Sequence, residues 1–220
     1  MGGTTQQYNF LNSCSEDNPV NLNDTFRKRM TDPEEKLIRR LQNKDEEAFR
    51  ELVEEFNQKV FNTCMGFVRN EEDADDLAQE VFIEVYQSIK KFKGQSSLST
   101  WIYRITVNKS LEFLRKMKSK KRSGFFSKIF GNDDSASLEV PDYDHPGIKA
   151  ENREQAGILY AAIEKLPDNQ RTAFTLHKLE GLSYEQIAEI IQKSVSSVES
   201  LMFRAKTNLK KELYEYYKNM

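Results

Sequence analysis

The sequence predicts an all-α chain: two small helical domains joined by a flexible linker. Three observations carry that prediction. Gly and Pro are scarce, 9 and 5 in 220 residues, so long stretches run without a breaker. Apolar residues recur three and four apart in two separate blocks, the period of helices with one buried face. Between the blocks, residues 118–150 open basic, hold Gly124 and Gly131, and end acidic with Pro141 and Pro146. A hydrophobic fraction of 38% beside 31% charged residues supplies two modest cores rather than one deep one.

Residues 1–31 are polar and pattern-free and read as a mobile tail. The first block spans residues 32–117. Asp45 stands where an N-cap belongs, ahead of Ala48, Phe49, Leu52, Val53, Phe56, Val60 and Phe61. After Asn70, a second helix carries Ala74, Leu77, Ala78, Val81, Phe82, Val85, Tyr86 and Ile89. Its first turns hold Glu71 to Asp76, carboxylates at the positive helix end. Residues 93–97 read as a loop, and Ser97 or Ser99 opens a third helix with Trp101, Ile102, Ile105, Leu111 and Leu114. Within the linker, Phe125, Phe126, Ile129 and Phe130 form an apolar island that reads as a local docking segment.

The second block spans residues 151–220. Ala161, Ala162, Ile163 and Leu166 mark a helix that Pro167 ends. Asp168 can cap the next, which carries Ala173, Phe174, Leu176 and Leu179 and stops at Gly181. Ser183-x-x-Gln186 is a capping box opening a helix with Ile187, Ala188 and Ile191 inward. A turn at residues 192–194 leads to a last helix that buries Val198, Leu201, Met202, Ala205 and Leu209.

Net charge is −2 and the pI about 5.9, a balance that argues against a free-standing DNA binder. The charge is unevenly spread. Residues 71–84 hold seven carboxylates and no cation, whereas residues 96–128 hold nine Lys/Arg against one Glu. Residues 193–211 hold five against one. Distinct surfaces for distinct partners follow, with plain solvated helix faces as the competing explanation. The two cysteines, Cys14 and Cys64, and the two histidines, His145 and His177, show no ligand spacing, so no metal or cofactor is expected. The acidic helix start lacks the shaped loop that a hard cation needs. No nucleophile and base are paired by pattern, so no catalytic residue is assigned. No apolar run approaches membrane-spanning length and no leader pattern opens the chain, which points to the cytoplasm.

A short helix, a turn and a long helix are the geometry of a helix-turn-helix. Ala188 gives the small side chain that lets the second helix cross closely. With Val198 inward, steps of about 100° per residue send Ser196, Ser200, Phe203, Arg204 and Thr207 outward. Hydroxyls, an aromatic and a guanidinium suit bases and phosphates. An ordinary helical hairpin is the alternative.

At this point both blocks resemble one family, the bacterial RNA polymerase sigma factors of the extracytoplasmic-function (ECF) class. Asp73-Ala74-Asp75-Asp76-Leu77-Ala78-Gln79-Glu80-Val81-Phe82 resembles the region 2 helix that docks on core RNA polymerase. The resemblance implies polymerase contacts at Asp75, Asp76, Gln79, Glu80, Phe82 and Tyr86. Phe92-Lys93-Gly94, then Ser99 to Asn108, resembles the loop and helix that read the promoter −10 element. Phe92 and Asn108 match positions that contact a flipped base. Gln95 and Trp101 are of suitable type beside them, with Lys93, Arg104, Lys109 and Arg115 for phosphates. For Trp101, core packing and DNA stacking fit equally. Leu166-Pro167-x-x-Gln170-Arg171, Gly181-Leu182-Ser183-Tyr184-x-x-Ile187-Ala188 and Val195 to Lys206 resemble region 4, which reads the −35 element. Its DNA face here would be Ser196, Glu199, Ser200, Phe203 and Arg204.

The resemblance implies a factor that binds core RNA polymerase, directs it to promoter DNA and aids opening. An anti-sigma factor, often membrane-bound in this family, is the further partner it implies. Glu199 departs from the family pattern, where Arg or Lys is common; glutamate accepts from cytosine N4 but repels phosphate. A stand-alone helix-turn-helix regulator and a helical adaptor without a DNA role are the competing functions.

Overall fold

The computed structural model describes residues 32–68, 70–130 and 150–218. The expected tail and the middle of the expected linker lie outside them. Among the described residues there are eight α-helices and no strand. The first unit comprises α1 (Asp32–Gln42), α2 (Glu46–Met65), α3 (Glu71–Ser88), a 3-10 turn (Ile89–Lys91) and α4 (Leu98–Phe130). The second comprises α5 (Ala150–Glu164), α6 (Asp168–Lys178), α7 (Tyr184–Ile191) and α8 (Val195–Lys218). None of these is long and apolar enough to cross a membrane.

Local capping chemistry sets most boundaries. Asp45 Oδ1 accepts the backbone N–H of Glu47 at 3.0 Å and of Ala48 at 3.1 Å, opening α2. Asn70 accepts from Asp73 N at 2.7 Å, opening α3. Ser97, not Ser99, caps α4, through Thr100 N at 3.1 Å. The Ser183–Gln186 box closes both ways, at 2.9 and 3.3 Å. Gln192, at φ 55°, ends α7, and Ser194 Oγ accepts Ser197 N at 3.2 Å to start α8.

Four expectations need correction. The sequence reading named no helix before Asp45, yet α1 forms, its Ile38 and Leu41 buried in the first core. The first block was expected to end at 117, but α4 continues to Phe130. Residues 115–122 are all Lys, Arg, Met or Ser, with no proline, so helix propensity carries the chain onward. The apolar island falls in that extension, and its side chains lie outside the described residues. Asp168 is not the cap of α6. Pro167 holds that position without a side-chain hydrogen bond, while Asp168 pairs with Lys118 at 3.1 Å. Lastly, α6 stops at Lys178, and Gly181 (φ 68°) turns the chain so that Leu182 N–H donates to Leu176 O.

Leu52, Val60, Val81, Ile89 and Ile102 centre the first core; Ile163, Leu176, Ile187, Val198 and Met202 centre the second. The two are not separate. Tyr103 and Val107 of α4 are buried in the second core, so α4 serves both units. Polar contacts cross the same junction. Tyr103 donates to Glu180 Oε2 at 2.8 Å, and Arg104 Nη2 donates to Glu189 O, also at 2.8 Å. Arg171, buried in α6, donates to Phe67 O of the first unit at 3.4 Å and to Ile163 O of its own at 3.1 Å.

Candidate nucleic-acid interface

Three surfaces carry the residues singled out by sequence. The first is a groove of about 680 Å³ between α2 and α3. Its floor and walls include Phe49, Val53, Phe82, Ile83 and Tyr86, and Asp75 and Gln79 lie at its edge. Positions 75, 79, 82, 83 and 86 follow helical spacing, which is why one face of α3 gathers them. Asp76 and Glu80 are exposed on the adjoining strip and do not line the groove. Phe82 is itself buried, whereas Ile83 is 56% exposed. Tyr86 is fixed by the edge of Phe49 at 5.0 Å and by the Lys44 ammonium 3.7 Å above its ring. An exposed isoleucine in an apolar groove bordered by carboxylates is a surface suited to a partner helix. Sequence reading missed Ile83; its signal was an apolar residue one step beyond the inward stripe.

The second surface is the loop of residues 92–97 with the start of α4. Gly94, at φ 67°, makes the turn. Lys93 and Gln95 point to solvent, while Phe92 is only 8% exposed, its ring 5.1 Å from Trp101. That packing places Phe92 in the core rather than on the surface expected for it. Trp101 is half-buried, so its indole serves the core on one side and remains accessible on the other. Trp101, Asn108 and Arg115, spaced by seven, share one face of α4; Tyr103, Val107 and Leu111 form the next, which meets the second unit. Arg104 lies between the two faces. Asn108 is exposed beside a cleft of about 180 Å³ that Arg104, Asn169, Thr172 and Gln192 also line. Lys109 is paired with Glu84 at 3.3 Å, and Arg115 donates to Leu111 O at 3.2 Å.

The third surface is the outward side of α8. Val198, Met202, Ala205 and Leu209 are buried, which turns Ser196, Glu199, Ser200, Phe203 and Arg204 outward together. Phe203 is 73% exposed. Ser196, Ser200 and Arg204 line a shallow cleft of about 370 Å³ with Asn169 and Lys193. Lys193 and Asn169 were not singled out by sequence; the first lies in the α7–α8 turn and the second in the first turn of α6. The short helix, tight turn and long helix place this cleft as a helix-turn-helix places its recognition helix.

Two titratable groups at the junction of the units are perturbed. Burial pushes the Tyr103 hydroxyl up, and the neighbouring Glu180 carboxylate pushes it further. Burial also raises Glu180, against the opposing pull of Tyr103, Asn62 and Lys59. Cys64 is buried and its thiol is pushed up to about 12, so it holds no ready thiolate. No cluster of metal-ligating side chains occurs among the described residues.

The geometry can be set beside known proteins. Residues 52–120 match the model of sigma-70 region 2, and residues 156–209 match that of sigma-70, region 4. The ECF RNA polymerase sigma-E factor of Haemophilus influenzae is 34% identical over 177 residues, covering 80% of this chain and 93% of that one. The RNA polymerase sigma-H factor of Pseudomonas aeruginosa is 33% identical over 184 residues, covering 82% and 93%. The same fold occurs in CnrH, solved in complex with the cytosolic domain of CnrY. The match has a TM-score of 0.61 at 21% identity and covers 84% of this chain and 99% of that one. It also occurs in the sigma factor RpoE of Bartonella quintana, solved with the anti-sigma factor NepR. Here the TM-score is 0.55 at 20% identity, covering 76% and 96%. The chain belongs to the bacterial RNA polymerase sigma factors, in their extracytoplasmic-function class.

Proposed function

We propose that this chain directs RNA polymerase to promoters by dividing the work among its three surfaces. The α2–α3 groove takes a helical element of core RNA polymerase, with Ile83 and Tyr86 inserted and Asp75 and Gln79 at the edge. The loop of residues 92–97 and the Trp101–Asn108–Arg115 face hold the unpaired −10 strand, bases against the indole and amide, phosphates against Lys93 and the arginines. The α8 face reads the −35 duplex. The observation that carries the reading is the pair Phe203 and Arg204, exposed side by side on the second helix of a helix-turn-helix. An exposed ring beside a guanidinium supplies apolar contact to a base edge and a donor to a base or phosphate on one helix. The chemistry is binding and strand separation, with no bond made or broken by this chain, and the place of work is the cytoplasm. An anti-sigma factor, the partner with which the Bartonella relative was solved, fits the same apolar groove.

Core RNA polymerase supplemented with the chain should give run-off transcription from a promoter mapped by transcript sequencing after overexpression. Ile83→Asp should abolish polymerase binding and transcription together, because it sets a carboxylate in an apolar groove. Asn108→Ala should leave polymerase binding intact and slow opening. Transcription absent with competent core enzyme and a matched promoter would sink the reading.

A further inference from the structure

The −10 loop is held from outside by a helix that the region 2 match does not include. That match begins at residue 52, whereas α1 spans Asp32–Gln42. Ile38 and Leu41 anchor α1 in the first core. One turn to either side of Ile38, Glu34 and Gln42 reach across to the loop, one at each end. The side-chain amide of Gln42 donates to Phe92 O at 3.0 Å and to Ile89 O at 3.5 Å, where the loop begins. The Glu34 carboxylate accepts the N–H of Leu98 at 2.9 Å, where the loop gives way to α4. That N–H is one of the unpaired donors at a helix start, and an anion there also meets the positive end of the helix dipole. Between these two ties lie Lys93, Gly94 and Gln95. A cleft of about 270 Å³, lined by Ile38, Arg39, Gln42, Phe92, Lys93 and Gly94, separates loop from helix.

We infer that Glu34 and Gln42 are positioning residues for −10 strand capture. They fix where the loop starts and ends, so that Lys93 and Gln95 are presented at one spacing from the Trp101–Asn108 face. This rests on the assignment of the loop to the −10 strand. The loop needs such ties because a glycine at positive φ sits at its centre, and glycine gives the chain its widest freedom. The two ties have opposite polarity: residue 34 must accept and residue 42 must donate. Conservative replacements therefore diverge. Glu34→Gln keeps an acceptor, whereas Gln42→Glu replaces the donor by an anion facing two carbonyls.

The test uses the full chain bound to core RNA polymerase. The probe is a fluorescent single-stranded oligonucleotide carrying the non-template −10 segment of a mapped promoter, with a scrambled strand as control. Glu34→Ala and Gln42→Glu should each weaken specific strand binding about tenfold, the scale of one hydrogen bond with a charged or displaced partner. Glu34→Gln should stay within about twofold of wild type. Core polymerase binding should hold steady in both Glu34→Gln and Gln42→Glu, and the thermal midpoint of the free chain should hold steady in Glu34→Gln. Normal strand binding by Glu34→Ala and Gln42→Glu, with Asn108→Ala defective, would overturn the positioning role and leave the −10 assignment standing. Normal binding by all three, Asn108→Ala included, would overturn both. Equal losses of strand binding and core polymerase binding would mean a general structural role and would also overturn it.

Discussion

The face of α4 proposed for the −10 strand and the face of α8 proposed for the −35 duplex are built from the same kinds of residue and presented in opposite ways. On α8 the apolar stripe is buried within its own unit, and Ser196, Ser200, Phe203 and Arg204 stand clear of it. On α4 the neighbouring stripe, Tyr103 and Val107, is buried in the other unit, and that contact engages the flank of the proposed −10 face. Arg104 donates to Glu189 O, Lys109 is paired with Glu84, and Phe92 is packed on Trp101. One face is ready as it stands. The other holds some of its cations in intramolecular contacts that nucleic acid would have to replace.

The two arginines test that contrast most strongly. Arg204→Ala should weaken binding of −35 duplex by holoenzyme roughly tenfold or more, since an exposed guanidinium brings its full contact to the DNA. Arg104→Ala should cost only about threefold on −10 strand, because the phosphate contact replaces an existing hydrogen bond and the exchange is nearly neutral. Fluorescence anisotropy at matched salt measures both, and a larger loss at Arg104 would break the comparison. A smaller effect comes from the junction itself. Glu180 has its carboxyl raised, chiefly by burial. A raised carboxyl favours the folded state below its ordinary pKa, and that advantage is lost as pH rises through the folded value. Glu180→Gln keeps an acceptor for Tyr103 and removes the buried charge. It should therefore raise the thermal midpoint at neutral pH, with the gain shrinking as pH falls towards 5. A gain that grows on acidification would reverse the sign assigned to this group.

What could be read from the sequence divides along the same line. The face of α8 was legible because Val198, Met202, Ala205 and Leu209 report burial within one helix, and the Ser183–Gln186 box lies within four residues. The face of α3 was partly legible for the same reason: Asp75, Gln79, Phe82 and Tyr86 line one groove, whereas Asp76 and Glu80 lie beside it and Ile83 was missed. The packing of Phe92 was not legible, because neither its type nor the resemblance that pairs it with a flipped base says that its ring lies on Trp101. The contacts that join the units were invisible: Tyr103 and Glu180 lie 77 residues apart, and Arg104 and Glu189 lie 85 apart. So was the brace, in which Gln42 meets Phe92 50 residues away. Nothing local marks a glutamine as the donor to a distant carbonyl.

Gly66, which ends α2, has a consequence of a mechanical kind. Its φ is −67°, so any residue could adopt that backbone. It is glycine for lack of room: a Cβ there would collide with the side chain of Thr175 in α6. Thr175 is fully buried, and its hydroxyl has no hydrogen-bond partner among the described residues. The end of α2 and the flank of α6 thus sit flush, with no clearance for a single methyl. Gly66→Ala would act as a shim, prying the units apart while leaving the side chains of α4 and α8 chemically unaltered. Small-angle X-ray scattering should show a larger radius of gyration, and an unchanged radius would mean that α6 slides sideways instead of lifting. The spacing between the two surfaces proposed to meet the promoter would then be adjustable at a residue that lies on neither.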